Sequence, residues 1–133
     1  MLDCQSYFNT VKWSMMIGTN GGYELSQQQE MPESEFAELY RTIAEKVFQE
    51  TGVYISAVMH RSRSLYRTEW GCPPGGEFSY TLTGCHNPLY SDINDYLHSL
   101  DLLTGKMKER LKQSAVYLEI TPAHCDYYRS NES

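Results

Sequence analysis

At 133 residues, with 41% hydrophobic and 21% charged side chains, the chain has the size and composition of one globular domain that can bury a core. A formal net charge of −6 excludes the basic footprint of a general nucleic-acid binder, and no apolar run approaches the length of a membrane span. Residues 1–9 lack the basic and apolar regions of a secretion signal, so the expected location is cytoplasmic, with no membrane and no nucleic acid among the partners.

Val11, Trp13, Met15 and Ile17 alternate with Lys12, Ser14 and Met16, which predicts a strand behind an N-terminal extension, 1–10. Gly18-Thr19-Asn20-Gly21-Gly22 ends that strand. Pro32 and the acids Glu33 and Glu35 mark a helix start. Phe36, Leu39, Tyr40, Ile43, Val47 and Phe48 then recur at helical spacing until Gly52 stops them. Residues 53–70 read as a long strand, with Ile55, Ala57 and Met59 on one face. Gly71-Cys72-Pro73-Pro74-Gly75-Gly76 forces a turn, because two prolines and three glycines cannot continue a ladder.

The returning strand, 77–85, carries Phe78, Tyr80 and Leu82 on one face. Ser91 or Asp92 caps a second helix whose apolar phase runs from Ile93 and Tyr96 through Leu103 to Met107 and Leu111. Gly105 lies inside that phase, and a kink is expected there. Val116, Leu118 and Ile120 form the last strand, closed by Pro122, and residues 126–133 read as a flexible tail.

The order β-α-β-β-α-β is that of the ferredoxin-like α+β sandwich, a four-stranded antiparallel sheet with two helices on one face, in a single domain of residues 1–133. No motif ties the chain to a particular family. In this reading the first and third strands are parallel neighbours and the fourth pairs with the first. Cys85-His86 and His124-Cys125 then fall at opposite edges, roughly 20 Å or more apart. Cys4 and Cys125 share an edge.

The touching Cys/His pairs invite metal or thiol chemistry, yet there is no Cys-x-x-Cys and no His-x-x-x-His, so no metal site is assigned. If the hairpin centres near Pro73, His60 lies opposite His86 and joins Cys85 at one end of the sheet. The Gly21-Gly22 loop, Asn87 and both helix N-termini are expected at that same end, a receptor for a small anion. The candidate ligand-binding residues are therefore Gly21, Gly22, His60, Cys85, His86 and Asn87, with Tyr23 and Tyr90 as walls. Arg61, Arg63 and Arg67 share a strand face and are candidates for contact with an anion or an acidic partner.

Tyrosine is over-represented, at 11 residues, as in half-buried sheets and contact surfaces. A sheet face bearing Met16, Tyr54, Val58 and Tyr117 predicts a homodimer, since monomers seldom leave such patches uncovered. The expected function is a small soluble binding or interaction domain that takes a small anionic ligand as a dimer. The alternative is a small enzyme built on His60, Cys85 and His86, metal-assisted or thiol-based. No catalytic residue is assigned.

Overall fold

Trp13, Met15 and Ile17 are buried together on one face of the first strand, as their alternation requires. The computed structural model describes residues 2–19 and 30–130. Within them the order is β1 (Leu2–Gly18), α1 (Glu33–Thr51), β2 (Val58–Ser64), β3 (Glu77–Cys85), α2 (Ile93–Arg110) and β4 (Tyr117–Ser130).

Each helix carries its own stop and start signals. Pro32 precedes α1, where its missing N–H is not needed, and Glu33 and Glu35 sit at the positive end of the helix dipole. Gly52 ends α1 in the left-handed region, φ 79°, and its N–H donates to the Phe48 carbonyl at 2.8 Å. The Asp92 carboxylate caps α2 by accepting from the Asn94 and Asp95 amides. The helix runs unbroken through Gly105, with nothing within 4 Å of where a Cβ would stand.

Both helices bury one stripe against one sheet face. Phe36, Tyr40, Ile43, Ala44 and Val47 of α1 and Tyr96, Leu100, Leu103 and Met107 of α2 meet Trp13, Met15, Ile17, Tyr80 and Leu82. The buried polar tips are satisfied, as they must be in a dry core. Trp13 Nε1 donates to the Tyr96 hydroxyl at 2.8 Å, Tyr40 donates to the Ile55 carbonyl at 2.5 Å, and Tyr80 donates to the Met31 carbonyl at 2.6 Å. Gly84 lies beneath the Trp13 indole, and a Cβ there would come within 2.5 Å of it.

The sheet order is β2-β3-β1-β4 with every neighbouring pair antiparallel. The four-stranded sheet with two helices is as expected, but the parallel pairing of β1 with β3 is not. The α1 crossover lays β2 parallel to β1 with a gap between them, and the hairpin folds β3 back into that gap, antiparallel to both. By the same logic β4 runs parallel to β3 on the other side of β1. The ends of β3 and β4 therefore lie at the same end of the sheet.

Three further expectations are corrected. Residues 2–7 are not a loose extension and residues 126–130 are not a tail: they pair in a two-stranded ribbon, with a register shift between Tyr7 and Thr10. The strand predicted over 53–70 is confined to Val58–Ser64, and a 3-10 turn at Thr68–Trp70 enters the connection. The uncovered sheet face is also not an apolar patch. Alternation places Ser14, Ser62, Ser64, Ser79, Thr81 and Thr83 there, and Ser62 and Ser79 approach at 3.0 Å between hydroxyls. Met16, Val58 and Tyr117 are exposed on that face, while Tyr54 belongs to no strand. No described helix is long and apolar enough to cross a membrane.

Candidate functional site

Antiparallel packing brings the C-terminal end of α1, the end of β3 and the start of α2 together. Between them lies a cleft of about 490 Å³, lined by Phe48, Gly52, Val53, Tyr54, Ser56, Cys85, Asn87, Tyr90, Ser91 and Tyr96. Four aromatic rings and no charged group make it a place for a flat, largely apolar ligand with a few polar atoms. Its floor is fixed: Tyr96 is held by Trp13, and Phe48 and Tyr54 pack edge to face at 6.4 Å. Burial pushes the Tyr96 hydroxyl upward in pKa, although the Trp13 hydrogen bond opposes the shift, so it stays a neutral phenol.

Cys85 also lines a second cleft, of about 450 Å³, on the open face of the sheet. There it meets Lys12, Ser14, Thr83, Glu119 and Thr121. Ser14 lies opposite Glu119 and Lys12 opposite Thr121, so Lys12 and Glu119 are diagonal neighbours, roughly 7–8 Å apart at Cα. One cleft supplies aromatic walls and the other supplies one charge of each sign.

The two Cys/His pairs are not at opposite edges. Cys85 Sγ and Cys125 Sγ stand 2.9 Å apart as free thiols, which reverses the expected separation. Loss of solvation around the sulfur, then the contact with Cys125, push Cys85 from 9.0 up to about 12. At neutral pH it is a protonated thiol and a weak nucleophile.

His86 is 2% exposed, and both of its ring nitrogens are engaged. Nε2 donates to the Ser91 carbonyl at 2.8 Å, and Nδ1 lies 3.1 Å from the Thr10 hydroxyl. Thr10 also donates to the His86 carbonyl at 2.7 Å. The imidazole thus fastens the end of β3 to β1 and to the cap of α2. His60 is opposite Thr81 rather than His86, about 13 Å along the ladder from Cys85. The hairpin connection is longer than the Pro73-centred turn assumed, so His60, Cys85 and His86 do not converge.

Asn87 lines the aromatic cleft, and its side-chain oxygen accepts from the Leu89 amide at 3.0 Å. Gly21 and Gly22 lie outside the described residues. The strand before them ends at Gly18, opposite Ser79, at the far end of the sheet from Cys85. α1 also begins at that far end, so the two helix N-termini do not meet.

The three arginines are engaged locally. Arg61 pairs with Glu30 and, at 3.6 Å, with Glu33. Arg63 lies over the Phe78 ring at 4.3 Å and donates to the Gly75 carbonyl. Arg67 lies beyond β2 and pairs with Glu69 at 2.9 Å. Arg61 and Arg63 do border a cleft of about 360 Å³, shared with Glu30, Phe78, Ser79 and Tyr80. Cys4 pairs with Tyr128, three ladder positions from Cys125, so those two thiols are roughly 10 Å apart.

Sequence reasoning did not single out as site residues Lys12, Phe48, Tyr54 or Tyr96, which line the two clefts, and it did not bring Glu119 or Cys125 to the Cys85 end. Phe48 and Tyr96 were visible only as helix-phase apolar positions. Lys12 and Glu119 become neighbours only once the β1–β4 register is known.

A family model described as SAM lyase matches residues 8–129. Two solved structures share the fold. A phage SAM lyase in the apo state aligns with a TM-score of 0.59 and 15% identity, over 96% of this chain and 94% of that one. A phage SAM lyase in complex with S-methyl-5'-thioadenosine aligns with a TM-score of 0.54 and 15% identity, over 93% and 92%. No curated protein sequence matches the chain.

Proposed function

The chain belongs to the SAM lyase family, and we propose that it cleaves S-adenosylmethionine and releases S-methyl-5'-thioadenosine. The observation that carries this reading is that Cys85 lines both an aromatic, uncharged cleft and a cleft holding one cation and one anion. The substrate has the matching halves. Its adenine and ribose suit the walls of Phe48, Tyr54, Tyr90 and Tyr96, with Asn87 and Ser91 for polar contacts. Its amino-acid end is a zwitterion, for which Lys12 receives the carboxylate and Glu119 the ammonium. The sulfonium then lies near tyrosine faces, which favour a cation.

In the cleavage the bond from sulfur to the amino-acid Cγ breaks, its electron pair neutralises the sulfonium, and the thioether departs. The substrate's own carboxylate closes on Cγ, so no proton needs to be taken by the protein. This route suits a site in which Cys85 is a neutral thiol and His86 is locked away. The protein's part is orientation and exclusion of water. The small-ligand expectation stays, but its anionic part does not carry over: the proposed substrate has a sulfonium and an ammonium against one carboxylate and is a net cation. The thiol-based alternative loses its support, because His60, Cys85 and His86 do not form a cluster.

A cytoplasmic location fits a substrate of that compartment and belongs to the same proposal. So does self-association, although the serines and threonines of the open face weaken the apolar-patch argument for it, and native mass spectrometry decides it. For the activity, the purified chain is incubated with methyl-labelled S-adenosylmethionine and the products are separated. The label is expected in methylthioadenosine with a lactone as co-product. Untouched substrate, or label transferred to another acceptor, contradicts the reading.

A further inference from the structure

We propose that Cys85 and Cys125 are a modification site that takes up a disulfide by exchange with a small-molecule disulfide of the oxidised-glutathione class. The pair joins the end of β3 to β4 across the intervening β1, and the two cysteines are 40 positions apart in the chain. Cys125 pairs with Tyr7, just beyond the register shift that separates Tyr7 from Thr10, and Cys85 pairs with Lys12. The sulfurs need to close from 2.9 Å to the ~2.05 Å of a disulfide bond. Neither Cys4 nor Cys72 has such a partner: Cys4 faces Tyr128, and Cys72 Sγ lies against the Tyr66 amide and the Ser64 carbonyl.

The step balances as two thiol–disulfide exchanges. One protein thiol, deprotonated, attacks the small disulfide, forms a mixed disulfide and expels one small thiolate. The second protein thiol attacks the protein-side sulfur and expels the other. Two protein thiols lose two electrons and two protons, and the small disulfide gains them as two thiols. Loss of solvation holds Cys85 protonated at neutral pH, so the exchange speeds up as pH rises.

The bond has two consequences. It fixes the wall that Cys85 supplies to both clefts, and it closes a long loop, which stabilises the fold by restricting the unfolded chain. The first consequence rests on the lyase reading; the second does not.

The full chain is incubated with oxidised glutathione at pH 8.5, alkylated, digested and mapped by mass spectrometry. A Cys85–Cys125 cross-linked peptide is expected, with Cys4 and Cys72 alkylated and the cross-link reversed by dithiothreitol. The melting temperature should rise on oxidation by on the order of 10 °C. Cys85→Ser and Cys125→Ser should each block the cross-link and leave a stable glutathione adduct on the remaining thiol. Mixed disulfides on all four cysteines without the internal cross-link, or a cross-link involving Cys4, overturn the proposal. Binding of methylthioadenosine, compared between reduced and oxidised protein by calorimetry, separates the two consequences. An unchanged affinity beside a mapped cross-link rejects only the coupling to the cleft.

Discussion

The two ends of the sheet treat charge in opposite ways. At the Ser79 end, Arg61 is matched by Glu30 and Glu33, and Arg63 is spent on Phe78 and Gly75. At the Cys85 end, Lys12 and Glu119 border a cleft with no salt bridge between them or to any other described residue, beside four aromatic rings. A charge that is paired at home has little left for a ligand; one that faces a cleft unpaired does. That contrast is the reason we propose the Cys85 end for the ligand, although the arginine run is the more conspicuous feature of the sequence.

Removing the unpaired charges should have the largest effect. Glu119→Gln or Lys12→Met is expected to lower kcat/KM for S-adenosylmethionine by roughly 10- to 150-fold, the worth of one charge-assisted hydrogen bond. A loss below threefold for both would remove the zwitterion contacts. Next comes the junction itself. Gly84→Ala drives a methyl into the Trp13 indole and should cost about 1–3 kcal/mol in urea unfolding, because that ring is fixed by Tyr96. A neutral result would mean that Trp13 is free to move.

The control at the opposite end is small. Arg61→Ala should change stability by less than about 1 kcal/mol, since its ion pairs are half-exposed, and should leave turnover unchanged. Smallest of all is a pH effect. Cys85 is raised from 9.0 to about 12 in the folded protein, so its contribution is fully present below pH 9 and is lost as pH rises from 9 toward 12. Cys85→Ser should flatten the fall in melting temperature over that window, and an identical slope in both proteins would refute the shift.

The element order was legible because each signal is local: Pro32 and Gly52 around α1, Asp92 before α2, and the alternation of Trp13, Met15 and Ile17. The helix-facing core followed from the same periodicities. What was not legible depends on strand direction and register. Once β1 and β3 were taken as parallel, Cys85 and Cys125 were sent to opposite ends of the molecule, and the thiol pair disappeared from view. The position of His60 failed for a related reason. A connection that contains a 3-10 turn shifts the register by several residues, and no dipeptide between 64 and 77 announces the amount.

His86 shows a different limit. Nothing local to Cys85-His86 distinguishes a free imidazole from one fastened to Thr10 and Ser91, since both partners arrive through the tertiary fold. The open sheet face failed because Tyr54 was placed on a strand it does not join, while the serines and threonines that line the face were read only as spacers. The family left no short motif, and its match spreads over residues 8–129 rather than resting on a signature.

The placement of the ligand at the Cys85 end is tested most directly by titrating the isotope-labelled protein with methylthioadenosine and following backbone amide shifts by NMR. The largest shifts are expected at Val53, Tyr54, Asn87, Tyr90 and Ser91, with Arg61, Arg63 and Phe78 nearly still. Shifts concentrated at Arg61, Ser79 and Tyr80 instead would put the ligand at the other end of the sheet and contradict the account.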